Sequence, residues 1–285
     1  MNLPEPQQLQ DAEQLRSGQT RAIGAVRIGL QSANLQKAAS GLRSFLPQPN
    51  PFVEIFINND QFIGRSTQVH STHDPYWFPQ AFHALIHSSQ DSIVLSVLSS
   101  RGSCWRTKLL GKVNYCISQL EGESFHLATS QTLWKRDEER GTILFDVAFY
   151  RSIPASNSED DSMMGIATFM LFEAKDLCFG DKPMARLRPV VIIRTDMDEI
   201  GFQATSLGFS GNPKWYSQCE ILAKQGKKTR FILEVKYDTS VLGHINLPLG
   251  DLLGGEEQDG RWWPLSGSPR GQLRLKAEWK GLSTN

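Results

Sequence analysis

From Gly24 onward, apolar and polar positions alternate along the chain. In AVRIGLQSA (25–33), Val26, Ile28 and Leu30 fall on one side and Arg27, Gly29 and Gln31 on the other. That is the period of a half-buried strand. The runs FVEIFI (52–57), SIVLSVL (92–98) and TILFDVAF (142–149) predict further strands, separated by turn residues such as Asn58-Asn59-Asp60, Ser88-Ser89-Gln90-Asp91 and Gly102-Ser103. The stretch SIPASNSEDDSMM (152–164) is Ser-rich and acidic, has no apolar period, and reads as a linker. Strands then resume with IATFMLFEA (166–174), PVVIIRT (189–195), TRFILEVKY (229–237) and QLRLKAEW (272–279). Many short strands at this spacing predict antiparallel sandwiches or barrels. The first 23 residues differ: they are polar and Gln-rich, and Leu9, Ala12 and Leu15 predict a short helix ending near Gly18.

The strand-rich region is written twice. Asn50-Pro51-Phe52-Val53 matches Arg188-Pro189-Val190-Val191, and Asp74-Pro75-x-Trp77 matches Asn212-Pro213-x-Trp215, both 138 residues later. Leu110-Gly111 matches Leu242-Gly243, and Gly141 matches Gly271 as the opening of a last strand. Constant order with slowly drifting offsets predicts two copies of one domain.

Charge narrows the partners. Thirty basic and thirty acidic residues cancel, so no whole-chain field attracts nucleic acid, and an electrostatic partner must be met by a local patch. Cys104, Cys116, Cys178 and Cys219 lie far apart without a C-x-x-C pair, which predicts reduced thiols in a cytosolic protein rather than a zinc or redox site. The start MNLPEPQQLQ lacks the basic and apolar parts of a secretory signal. No run approaches the roughly 20 apolar residues that cross a bilayer. No G-x-S-x-G, H-E-x-x-H or P-loop pattern occurs, so the expectation is a binding protein and not an enzyme. His83 and His87 on a strand would stand roughly 13 Å apart, too far to share an ion.

The ordered pieces SANL, NPFV, DPYW, LSV, LLGKV, TLW and GTILFDVAF, repeated as EAKDL, RPVV, NPKW, LEV, VLGHI, WWPL and GQLRLKAEW, resemble the C2 domain. The resemblance implies an all-β chain of two eight-stranded antiparallel sandwiches in tandem. The expected organisation is a polar lead-in over 1–23, a first C2-like domain over 24–152, a linker over 153–164, a second C2-like domain over 165–280, and a tail over 281–285. EQLRSGQTRAIGAVRI, FDVAFYRSI and LRLKAEWK further resemble the tricalbins and extended synaptotagmins. Those proteins hold endoplasmic reticulum close to plasma membrane and carry a lipid-transfer domain and an anchor, neither of which is seen in this sequence. The resemblance implies a cytoplasmic, peripheral tether at such contact sites.

Many C2 domains bind calcium, which is a hard ion needing 6–8 oxygen ligands, so carboxylates must converge. The family places an Asp before the Pro of the second strand and two more after L-x-V-x. This chain has Asn50 and Arg188 at the first place, and Ser99, Arg101, Tyr237 and Thr239 at the others. Asp181 remains from the first loop of the second copy. Asp238 is one residue out of step and would face the opposite side if its strand continues. The expectation is no calcium and no other cofactor.

Attachment must then use other groups. Phe45 and Leu46, in AASGLRSFLPQPN, and Trp105, between Arg101, Arg106 and Lys108, fall in two loops that a C2 domain places at one end. An aromatic ring with basic neighbours suits an anionic phospholipid interface. The alternative is that Trp105 packs on its own domain. In the second copy Lys224, Lys227, Lys228 and Arg230 surround a Gly turn. They fit either an anionic membrane or a charged hairpin that repels other sheet edges. RWWPL (261–265) reads as a strand with a buried Trp rather than a ligand cage. A protein-interaction scaffold without lipid binding is the second functional reading.

Overall fold

The structure is a computed structural model that describes residues 21–36, 48–100, 107–120, 124–153, 164–179, 182–183, 188–197, 201–207, 212–253 and 260–283. The described residues divide into two compact units, one of 22–151 with Ser283 and one of 152–282 with Arg21.

The first unit holds β1 (Gly24–Leu35), β2 (Pro51–Ile57), β3 (Gln61–Arg65), β4 (Ala81–Ile86), β5 (Ser92–Ser100), β6 (Thr107–Cys116), β7 (Phe125–Lys135) and β8 (Glu138–Ser152). All pairings are antiparallel. One sheet runs β4–β1–β8–β7 and the other β3–β2–β5–β6. The period-2 pattern decides which side chains face inward. Ile28 and Leu30 from β1, Val53 and Ile55 from β2, Leu95 and Val97 from β5, and Ile143, Phe145 and Val147 from β8 meet between the sheets. Each such side chain contributes about 1.5–3 kcal/mol by leaving water.

The second unit holds β9 (Gly165–Lys175), the short β10 (Cys178–Phe179) and β11 (Lys182–Pro183), β12 (Val190–Thr195), β13 (Phe202–Thr205), β14 (Lys214–Ala223), β15 (Arg230–Tyr237), β16 (Ser240–Pro248), a single helical turn α1 (Leu249–Leu252), β17 (Arg261–Pro264) and β18 (Gln272–Ser283). Its sheets repeat the first unit's order, β14–β9–β18–β17 and β13–β12–β15–β16. The chain is thus all-β, with two antiparallel sandwiches of the same topology.

The repeated D/N-P-x-W motif is part of this framework. The carbonyl of Pro75 accepts from the Ala33 amide at 3.1 Å, and that of Pro213 accepts from the Ala174 amide at 2.9 Å. Each turn thereby docks on the first strand of its sandwich and drives the following Trp into the core. Trp77 and Trp215 rank among the largest fully buried side chains. Trp77 Nε1 donates to the Thr67 carbonyl at 3.1 Å, while Trp215 Nε1 is buried without an acceptor among the described residues. Gly141, the repeated glycine of the last strand, has φ +113°, and a Cβ there would lie 1.9 Å from the Asn34 carbonyl oxygen; only Gly meets both conditions.

Register fixes which loops share an end. In the first unit Leu35 pairs with Gly141, Pro51 with Ser99 and Ser100 with Thr107. The connections 36–50, 66–80, 101–106 and 136–137 therefore leave from one end, called the loop end. In the second unit the loop end carries 176–189, 206–213, 238–239 and 265–271. The connection 224–229 lies at the opposite end, where Ala223 pairs with Gly165 and Arg230 with Pro248. The equivalent turn of the first unit is closed by Asp91, which accepts from the His87 and Ser88 amides and from Asn58 Nδ2. Burial raises the pKa of this carboxyl, but the three hydrogen bonds outweigh it, and the net shift is downward.

Candidate functional site: the loop ends

Asn50, Ser99 and Arg188, at positions where a C2 domain would place calcium ligands, are committed to other bonds. Asn50 donates its amide to Ser99 Oγ at 3.0 Å and its Nδ2 to the Ser100 carbonyl at 3.2 Å, and its Oδ1 accepts from the Ser71 amide at 2.8 Å. It laces β2 to β5 and to the 66–80 connection. In the second unit Arg188 Nε donates to the Ser206 carbonyl at 3.2 Å. No group of three His, Cys, Asp or Glu side chains converges on a metal position among the described residues. These residues do not fit a calcium ion, which needs several carboxylate oxygens. Asp181 and Arg101 lie outside the described residues.

The third loop differs most between the copies. In both, the strand pairing shifts by a bulge at the same place, after Val97↔Gly111 and after Val235↔Gly243. Beyond it the first unit runs to Ser100↔Thr107, and the second closes at Tyr237↔Ser240. The drop in repeat offset from 138 to 132 therefore falls in this loop. What remains is a two-residue turn with Asp238 at φ +54°. Asp238 sits at the turn's tip and not on a continuing strand, so the expectation that it faces the opposite side of a strand is replaced by a turn role, which suits Asp at positive φ.

Asn50→Asp is expected to lower the first domain's stability by about 1–2 kcal/mol, because it turns the donor facing the Ser100 carbonyl into a second acceptor. Chemical unfolding with and without calcium checks this. The deficit should persist with calcium present.

The first unit's loop end carries an aromatic tip of mixed charge, of which the sequence reading singled out only Lys108. Lys135 pairs with Glu138, and Arg136 and Asp137 have φ of 51° and 62°, the two positive values of a tight hairpin turn. Trp134, which pairs with Lys112 on β6, is 52% exposed. Lys135 Nζ donates to the Leu109 carbonyl at 2.6 Å, beside Lys108 at the start of β6. Burial lowers the Lys135 pKa, and the charges of Lys108, Arg140 and Arg136 push it the same way against Glu138. Arg140 is ion-paired with Glu138. WKRDEER reads in sequence as a mixed-charge run; the detectable signal was the pair Arg136-Asp137 between two strand-like stretches.

Of the residues singled out from sequence, Lys108 belongs to this tip and is exposed. Phe45, Leu46, Arg101, Trp105 and Arg106 lie outside the described residues. Lys224 and Lys228 are exposed, and Lys227 is half-buried in a tight turn, Gly226–Lys228. Arg230 donates Nε to Asn246 Oδ1 at 3.2 Å and Nη2 to the Asn246 carbonyl at 3.0 Å. This cluster stands at the far end of its own domain from the Asp238 turn, separated by the length of β15, roughly 26 Å. Met197, 65% exposed, lies beside it, with Gln225 Nε2 at 3.5 Å from its Sδ. In RWWPL, Trp263 is buried as expected, and Trp262 is partly exposed. No helix among the described residues is long and apolar enough to cross a membrane.

Comparison with known proteins matches this geometry. The C2 domain family model matches residues 24–134 and again 165–265. An uncharacterized protein of Schizosaccharomyces pombe is 23% identical over 273 residues, covering 94% of this chain and 22% of that protein. The chain thus spans about a fifth of the length of that curated relative. Among solved structures, one of extended synaptotagmin 2 that contains its SMP domain and two C2 domains superposes with a TM-score of 0.71 at 18% identity, covering 93% of this chain and 58% of that one. The calcium-bound pair of C2 domains of the same protein superposes at 0.69 and 18% identity, covering 94% of this chain and 100% of that one. With both sandwiches matched and most of its length covered, the chain belongs to the C2 domain family and carries two such domains in tandem.

Proposed function

We propose that this chain is a peripheral membrane-attachment module that binds anionic phospholipid without calcium and, by likeness to the extended synaptotagmin C2 pair, serves as a tether where endoplasmic reticulum meets plasma membrane. The observation that carries the reading is the first domain's loop end. There an exposed Trp134 stands with Lys108, Lys135 and Arg136, while Asn50 and Ser99 bond each other where acidic ligands would be needed. The indole suits the headgroup layer, and each basic side chain near an anionic surface contributes about 1 kcal/mol. An anionic surface also relieves the crowding of like charges around Lys135. Phe45, Leu46, Trp105, Arg101 and Arg106 extend this tip in the proposal, and Lys224, Lys227, Lys228 and Arg230 give the second domain its own contact. Two linked contacts raise avidity, because the second binding event is intramolecular.

Co-sedimentation with phosphatidylserine-containing vesicles tests the reading. Binding is expected to be unchanged by EDTA and to weaken as salt shortens the screening length from about 8 Å at 0.15 M to about 3 Å at 1 M. Binding abolished by EDTA overturns the calcium-free claim. No binding to any anionic vesicle favours the second reading, a protein-interaction scaffold, for which the exposed neighbours of Trp77, Tyr76 and Phe78, with ring centroids 6.3 Å apart, offer an apolar contact.

A further inference from the structure

We propose that the outer face of the β14–β9–β18–β17 sheet of the second domain holds the phosphomonoester headgroup of a membrane lipid, using Lys175, Arg274 and Lys214 around Trp262. This rests on the membrane reading above and names a lipid chemistry for a different surface. Leu273 and Ala174 are buried and pair with each other, so alternation turns their neighbours Arg274, Glu173 and Lys175 to the outer face. Lys175 Nζ stands 4.2 Å from the Trp262 ring centroid, and Arg274 Cζ stands 6.0 Å from the same ring. The two charges therefore lie within about 10 Å of each other, roughly one screening length at 0.1 M salt. Glu173 Oε1 accepts from Arg274 Nη1 at 3.2 Å. Lys214 pairs with Glu173 across the sheet, its Nζ 6.0 Å from the Tyr216 ring. Arg274 is thus ion-paired with Glu173, while Lys175 and Lys214 form no ion pair among the described residues. The two positive charges of Lys175 and Lys214 match a phosphomonoester, which carries about −1.5 to −2 at neutral pH, better than a singly charged phosphodiester. The indole face holds the two cations in place through cation–π attraction.

The first domain is an internal control. The same register positions there hold Asn34 for Lys175, Ser32 for Glu173, Leu144 for Arg274, Ser130 for Trp262 and Tyr76 for Lys214. That set has no charge, yet the sandwich is the same. The fold therefore does not need this cluster.

The test compares phosphatidylcholine vesicles doped with phosphatidic acid, whose headgroup is a phosphomonoester alone, with vesicles carrying phosphatidylserine at matched surface charge. The whole chain is expected to prefer phosphatidic acid. Lys175→Asn with Lys214→Tyr, which installs the twin residues and keeps the Arg274–Glu173 pair, should weaken that binding about 30-fold and leave phosphatidylserine binding within about twofold. Lys224→Gln with Lys228→Gln removes as many charges at the opposite end and should keep the preference. Thermal unfolding of each variant establishes that it is folded. Equal binding to both vesicles, or a preference that survives the twin-residue variant, overturns this inference alone. Binding to neither vesicle overturns it together with the membrane reading. Soluble glycerol 3-phosphate should compete only weakly; if it displaces the protein from phosphatidic acid vesicles at low concentration, the ligand is a free phosphate and the lipid assignment fails.

Discussion

Trp77→Ala is expected to lower the unfolding temperature of the first domain by about 10–20 °C and to leave the second domain's transition in place. Trp77 is fully buried between the sheets of its sandwich, and emptying such a site costs about 3–5 kcal/mol in lost contacts and residual cavity. At the size of this domain each kcal/mol corresponds to roughly 3–5 °C. The two units have separate cores, so calorimetry should resolve two transitions, of which one moves. A milder pair separates packing from hydrogen bonding. Trp77→Phe removes the donor to the Thr67 carbonyl as well as volume, whereas Trp215 Nε1 has no acceptor among the described residues. Trp215→Phe should therefore cost about 1 kcal/mol less than Trp77→Phe. Equal costs would mean that the indole hydrogen bond of Trp77 contributes nothing to the fold.

The second large effect concerns attachment. Trp134→Ala combined with Lys135→Gln and Arg136→Gln is expected to weaken binding to phosphatidylserine vesicles by more than about 30-fold, since the two charges alone correspond to about 2 kcal/mol. Stability should fall by no more than about 1 kcal/mol, the cost of the Lys135 hydrogen bond to the Leu109 carbonyl, because Trp134 is 52% exposed and the turn keeps its Asp137. The contributions have different salt signatures. The charge-only variant should show a shallower salt dependence, and Trp134→Ala alone should lose affinity at every ionic strength. If the triple variant binds like the native chain, the first domain's loop end is not the contact surface, and the proposed function loses the observation that carries it.

Much of the fold was legible because strand period and repeat offset are properties of the chain itself. Val26, Ile28 and Leu30 alternate in sequence and are buried in the structure, and the equal offset of Trp77 and Trp215 marks equal places in two cores. The candidate sites were less legible, because they are made by neighbours across strands. Lys175, Lys214 and Trp262 are distant in sequence and meet only through the register of β9, β14, β17 and β18. Trp134 became visible as a tip residue only once the Arg136-Asp137 turn was placed beside Lys108. The lysines at 224–230 were legible as a cluster, but their end of the domain is decided by where β15 starts and stops. The offset drop from 138 to 132 was readable in the sequence; its meaning needed the bulges at Val97 and Val235 to confine it to one hairpin.

That hairpin limits what substitution can achieve. In the first domain Asn50 and Ser99 face each other across β2 and β5, so substitution at these two positions would place acidic side chains side by side. In the second domain the corresponding turn is shorter. A turn of two residues closed by Tyr237 and Ser240 leaves no loop there to wrap around a ligand. The twin sandwiches therefore differ at this loop in kind, one in its side chains and the other in its length.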